Sequence, residues 1–165
     1  MRRWLWVILI ATLTNQASAQ EMKMRDVFKQ MPDSLMPYLT TNNRLDFIDF
    51  LDSGMKAEVA NMTGGVSEMT ALTDDSLSIR MSEALRVDML LLDLDEPVDS
   101  IHQVVLFVET FLVDSIYGES VCKTYTVDWQ PVTSSLSFND VQRKRIESLD
   151  LQNILNWRKN KLKNR

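Results

Sequence analysis

The chain of 165 residues carries one cysteine, Cys122, and one histidine, His102. A single cysteine excludes an intramolecular disulfide, so stability has to come from the core even in an oxidising compartment. One thiol and one imidazole cannot build the nitrogen and sulfur tetrahedron of a zinc site. Nucleophilic catalysis by Cys122 needs His102 as its base, and the two are far apart in the sequence. The plain reading of Cys122 is a small half-buried strand residue. Glycine is also scarce, with four in all, and no phosphate-cradling loop is present. The adjacent pair in GGVSE lacks the strand-to-helix setting of a nucleophile elbow and reads as a turn. No internal repeat or low-complexity tract occurs, and no residue is assigned a catalytic role.

Long apolar runs are absent as well. The longest stretch near the start, Trp4 to Leu13 within MRRWLWVILIATLTNQASAQ, has ten residues. A bilayer needs roughly 20. Basic Arg2 and Arg3 precede that run, and the small residues Ala17-Ser18-Ala19 follow it, which is the layout of a secretory signal peptide. Residues 1–19 are therefore expected to be removed, leaving a periplasmic or secreted protein that starts at Gln20 or Glu21, with no transmembrane segment. The remaining 146 residues suit a single domain that buries roughly 68% of its unfolded surface.

Charge is divided unevenly. Residues 20–141 hold 8 Lys or Arg against 21 Asp or Glu, a net of −13, whereas residues 142–165 hold 8 against 2, a net of +6. An acidic body repels nucleic-acid phosphate, which removes nucleic acid as a partner. The basic tail suits docking on the acidic body of its own chain; contact with an anionic membrane surface is the alternative.

Residue spacing divides the chain into a helical start, a strand-rich middle and a helical end. In MRDVFKQMPDSLMPYLTT, Val27, Phe28, Met31, Leu35, Met36 and Leu39 recur at helical spacing, with Pro32 and Pro37 cutting the segment into short pieces. Asn42 and Asn43 offer an N-cap for RLDFIDFLDSGM, Gly54 offers its stop, and MKAEVANM reads as a further helical turn. From Ser67 the period becomes two: SEMTALT and LSIRMSE form a hairpin about Asp74-Asp75-Ser76. Two apolar runs, Ala84 to Leu94 and Ile101 to Leu112, are joined by the turn composition DEPVDS, and SVCKTYTVDW alternates with Tyr125, Val127 and Trp129 on one face. Short connections make the sheet of about five strands mainly antiparallel. The expected class is α+β, with N-terminal short helices and a C-terminal helix covering one face of the sheet. Residues 20–141 form the domain, and 142–165 a basic helix or tail docked on it.

Two acidic groups are candidate sites. Asp93, Asp95 and Asp99 bring carboxylates into the DLDEPVD turn, a composition suited to calcium although it lacks the EF-hand spacing. No other cofactor is implied. Asp46, Asp49 and Asp52 fall on a band about 120° wide on the helical wheel, opposite Phe47, Ile48, Phe50 and Leu51. That pattern is the wet side of a surface helix and a candidate interaction face. Asp46 suits the positive helix N-terminus, whereas Asp52 sits at the end where the dipole disfavours it.

The run from Met24 to Leu92, MRDVFKQ through VDMLLL, and the later SVCKTYTVDW resemble an uncharacterised exported family of Gram-negative gut and oral anaerobes, a domain of unknown function. The resemblance implies export and supplies no activity or ligand. The function expected from these features is a non-catalytic binding or interaction module of the cell envelope, with an envelope or secreted protein as partner. A carboxylate-based hydrolase, acting on a glycan, is the alternative, and it requires two acids about 5–10 Å apart in a concave pocket.

Overall fold

A hairpin of two long strands organises the molecule. In the computed structural model, which describes residues 22–114 and 116–149, β4 (Leu85–Val98) pairs antiparallel with β5 (Ile101–Val113). The remaining strands are β1 (Glu58–Ala60), β2 (Val66–Leu72), β3 (Ser76–Arg80) and β6 (Ile116–Thr126). Among the described residues the sheet has six strands in the order β1-β2-β3-β4-β5-β6, each antiparallel to its neighbour. Helices α1 (Met24–Lys29) and α2 (Thr41–Asp52) and the short 3-10 turn Asp33–Leu35 precede the sheet. The expected α+β class and antiparallel sheet hold, with one strand more than foreseen.

That extra strand is β1. MKAEVANM is extended, because Ala57, Val59 and Asn61 are buried while Glu58 and Ala60 are not, a period of two against β2. DEPVDS is likewise not one turn. β4 runs on to Val98, and only Asp99 and Ser100 reverse the chain, at φ of 49° and 67°. Two consecutive left-handed residues give a hairpin turn whose twist matches the flanking strands.

Each face of the sheet has its own cover. Val87, Met89 and Leu91 of β4, with Val105 and Phe107 of β5, join Met24, Val27, Phe28, Phe47 and Ile48 in one core. The alternate residues Leu90, Leu92 and Val104 meet Val132, Leu136, Phe138, Ile146 and Leu149. Because successive strand residues point to opposite faces, the N-terminal helices and the C-terminal segment lie on opposite sides of the hairpin, not on the one face expected for both. The segment includes a helix over 140–149. The signal-peptide reading of residues 1–19 and the tail beyond residue 149 lie outside the described residues.

Local chemistry fixes α2. Its N-cap is Thr40, ahead of the expected Asn42 or Asn43: the Thr40 hydroxyl accepts the Asn43 N–H at 3.2 Å, and the Asn43 side chain accepts the Thr40 N–H at 3.0 Å. Asn43 is thus the reciprocal partner of the cap, and Asp46 falls beyond the first turn, without the dipole role expected of it. At the other end Gly54 takes φ 68°, Met55 N–H donates to the Phe50 carbonyl and Gly54 N–H to the Leu51 carbonyl, closing a Schellman motif. Phe47 and Ile48 are buried, and Phe50 and Leu51 are half-buried against the same core.

Arg44 is 1% exposed and stitches the N-terminal layer together. Its guanidinium donates to the Met31 carbonyl at 2.5 Å and the Leu39 carbonyl at 3.2 Å, and pairs with Asp33 at 2.8 Å. Trp129, at the end of the sheet, donates its indole N–H to the Val27 carbonyl of α1 at 2.9 Å. Arg44 gives donors to carbonyls of the loop before α2, and Trp129 adds a second donor to the Val27 carbonyl, which also accepts the Gln30 N–H at 3.2 Å. Arg44→Met keeps the volume but orphans two buried carbonyls, so it should lower unfolding free energy by about 3 kcal/mol in urea titration, with the denaturant slope unchanged.

Among the described residues three carboxyls titrate below their usual range: Asp33 through hydrogen bonds from Arg44 and Thr41, Asp52 through Arg25, and Glu68 through Arg80. A folded-state pKa below the unfolded one contributes stability that is present above the unfolded value and lost as pH falls through the folded one. Thermal melts should therefore show a melting temperature nearly level above about pH 5 and falling below about pH 4. Asp52→Asn should flatten the acid limb.

Candidate functional site

The turn between β2 and β3 bonds to both covering layers. Thr73 locks it: its N–H donates to the Ser76 carbonyl at 2.8 Å, and its hydroxyl oxygen accepts the Asp75 and Ser76 N–H groups. The residues at the tip then face outward with their carbonyls committed. Asp74 accepts the Met24 N–H that opens α1, at 2.7 Å, and Asp75 accepts the Leu91 N–H of β4, at 2.8 Å. The side chains bind both layers as well, Lys23 to Asp74 at 3.1 Å and Arg145 to Asp75 at 2.8 Å. Arg145 also reaches the Leu91 carbonyl at 3.4 Å and the Gln142 side chain at 3.2 Å.

Two clefts flank the Asp75–Arg145 pair. One, of about 230 Å³, is lined by Lys23, Asp74, Asp75, Asp93, Gln103 and Arg145. The other, of about 350 Å³, is lined by Ser76, Ser78, Arg86, Arg145 and Ser148, with Leu90 and Leu149 closing its apolar end. Asp88 stands beside the second cleft at 1% exposure. One of its oxygens accepts from the Ser78 hydroxyl and from Arg86 Nε and Nη2, at 3.1 and 2.7 Å. Its other oxygen, also buried, has no hydrogen-bond partner among the described residues. Hydroxyls and charges of both signs, each already tied to a neighbour, make these clefts suited to hydrogen-bonding a polar ligand.

Of the expected site residues, only Asp93 lines either of these two clefts, where Gln103 donates to it at 3.1 Å. Asp95 is exposed on β4, its N–H bound to the Ser137 carbonyl, and Asp99 occupies the hairpin tip. β4 is irregular between Asp93, which pairs with Gln103, and Val98, which pairs with Ile101, and Asp99 follows at the turn, outside the cleft that Asp93 lines. Among the described residues no three His, Cys, Asp or Glu side chains are gathered so as to hold a metal ion. Asp46 and Asp49 lie on the exposed side of α2. Asp52 is held by Arg25 of α1 through two bonds of 2.6 and 2.8 Å, which offsets its unfavourable place at the helix C-terminus. Cys122 is exposed on β6 opposite Val108, and His102 lies six residues along β5 from Val108, roughly 20 Å away. Arg44, Arg86, Asp88 and Arg145 carried no spacing signal. Asp74 and Asp75 were visible only as turn formers.

The Arg145 contacts predict a local effect. Arg145→Ala should speed amide hydrogen exchange over 140–149 while leaving the β4–β5 ladder protected, and lower global stability by only about 1 kcal/mol, since the pair is partly solvated.

No curated protein matches the chain. Among solved structures, it is similar to one described as a domain of an uncharacterized protein from Porphyromonas gingivalis W83, at 24% identity and a TM-score of 0.55. The likeness covers 68% of this chain and 55% of that one, so it bears on the fold alone. Among the described residues no helix is long and apolar enough to cross a membrane. The family model described as protein of unknown function, DUF3256, matches residues 14–162, nearly the whole chain, and the protein belongs to that family.

Proposed function

We propose that this protein is an exported, non-catalytic binding module that works in the periplasm or outside the cell and recognises an envelope or secreted protein through the clefts beside Asp75 and Arg145. The observation that carries the reading is the state of the charges there. Lys23 engages Asp74, Arg145 engages Asp75 and Gln103 engages Asp93. A catalytic carboxyl has to exchange a proton or a bond with substrate, whereas each of these three already accepts from a neighbouring side chain. Charges held in place by partners instead present fixed donors and acceptors, and fixed groups lower the ordering cost of binding.

Export is supported by the order of basic, apolar and small residues in 1–19. A glycan hydrolase keeps one observation in its favour: Asp74, Asp75 and Asp93 line a single cleft.

Two measurements separate these readings. Cell fractionation with N-terminal sequencing should place the protein outside the cytoplasm with Gln20 or Glu21 first; an intact Met1 in the cytoplasm sinks the export part. Affinity capture from an envelope extract at low salt should retain a partner that is lost with Arg145→Ala and kept with Asp46→Asn. Retention of no partner would remove the binding reading, and glycan turnover abolished by both Asp75→Asn and Asp93→Asn would put the hydrolase in its place.

A further inference from the structure

The two edges of the sheet differ. β1 ends one side with three residues, a length that leaves little to pair with, whereas β6 ends the other with eleven. Residues 130–132 cover the far end of β6: Thr126 N–H donates to the Gln130 carbonyl at 2.8 Å, and Val132 N–H to the Thr124 carbonyl at 2.9 Å. Among the described residues no further strand lies along the rest of that outer edge, from Gly118 to Lys123. Edges of this length are normally blunted by proline, by a bulge or by charges that repel a second strand.

Here the charges have opposite sign and sit symmetrically. Glu119 and Lys123 are two residues either side of Val121, and all three are exposed. Their side chains project to one face of β6, as the pairing of Glu119 with Phe111 and of Val121 with Glu109 requires. We propose that β6 is the interface for a second copy of this chain, pairing antiparallel about a two-fold axis at Val121. In that register Glu119 lies opposite the partner's Lys123, Lys123 lies opposite the partner's Glu119, and Val121 meets its own copy. Cross-strand pairs of opposite charge stabilise an antiparallel ladder, and like charges there destabilise it.

Lys123 already reaches Glu109 at 2.9 Å, but its ammonium carries three donors and is half-exposed, so it can serve both carboxylates. Phe111, 43% exposed beside Glu119, extends the apolar centre on each side of the axis. Two six-stranded sheets would then join into one, with backbone hydrogen bonds supplying affinity and the charge pairs fixing the register.

Sedimentation equilibrium of the purified protein tests this without reference to any other partner. Wild type should pass from monomer to dimer as concentration rises. Glu119→Lys and Lys123→Glu should each weaken self-association by roughly tenfold or more, because each turns both attractive pairs repulsive. Mixed one to one, the two variants should dimerise again, since the doubly basic edge of one then faces the doubly acidic edge of the other. Glu119 takes part in no ion pair among the described residues, so Glu119→Lys decides the matter alone if thermal melts show Lys123→Glu misfolded. A wild type that stays monomeric, a dimer indifferent to Glu119→Lys, or two folded variants that do not associate on mixing would overturn the proposal.

Discussion

Burial of β4 on both faces is the constraint from which the architecture follows. Residues 87–92 are buried without interruption, so neither side of the strand can face water. A strand in that position needs two covers, and this chain supplies one from each end. Its N-terminal third packs on the odd-numbered residues of β4 and its segment 132–149 on the even-numbered ones. Each fully buried aliphatic side chain contributes about 1.5–3 kcal/mol, so neither cover is dispensable. The β2–β3 turn then becomes a meeting point, because Asp74 and Asp75 can reach α1, β4 and the C-terminal helix together.

The N-terminal cover is made of pieces too short to hold themselves. α1 has six residues and no side-chain cap at its start, and isolated helices of that length do not persist in water. Its order comes from outside. Trp129 binds its Val27 carbonyl, Arg25 binds Asp52 of α2, and Arg44 fastens the loop between the helices from within. A buried guanidinium is expensive to desolvate, and it is tolerated where several carbonyls need donors that no backbone N–H can supply.

The sequence made the sheet legible because period-two alternation is local: β2, β3 and β6 each show it within a few residues, and the tight turns mark their ends. It also placed the aspartates of α2 on the wet side. What it did not disclose depends on contacts distant in the chain. MKAEVANM has helix-forming residues, and only pairing with β2 makes it a strand. The run MLLL in β4 is the pattern of a strand buried on both faces, and helices on one side alone would leave half of it in water. The partner of Asp52 lies 27 residues away, and the Arg145 contact with Asp75 spans 70. No window of sequence joins such residues, and an arginine that holds a buried loop looks in the sequence like one that faces water.

Along the even-numbered face of β4 the chemistry changes within one strand. Leu92 and Leu90 are apolar, while Asp88 and Arg86 are charged. The dry contact with Ile146 and Leu149 therefore has to end near Leu90, since an apolar helix laid over Asp88 would remove water without replacing its hydrogen bonds. Arg86 and Ser78 supply those bonds from within the sheet, loading three donors onto one oxygen of Asp88 and leaving the other without any from the described residues. The larger cleft opens beside this boundary, with Leu90 and Leu149 on one side and Ser78 and Arg86 on the other. Its position thus follows from the same strand that requires two covers: the polar hollow lies where the second core stops.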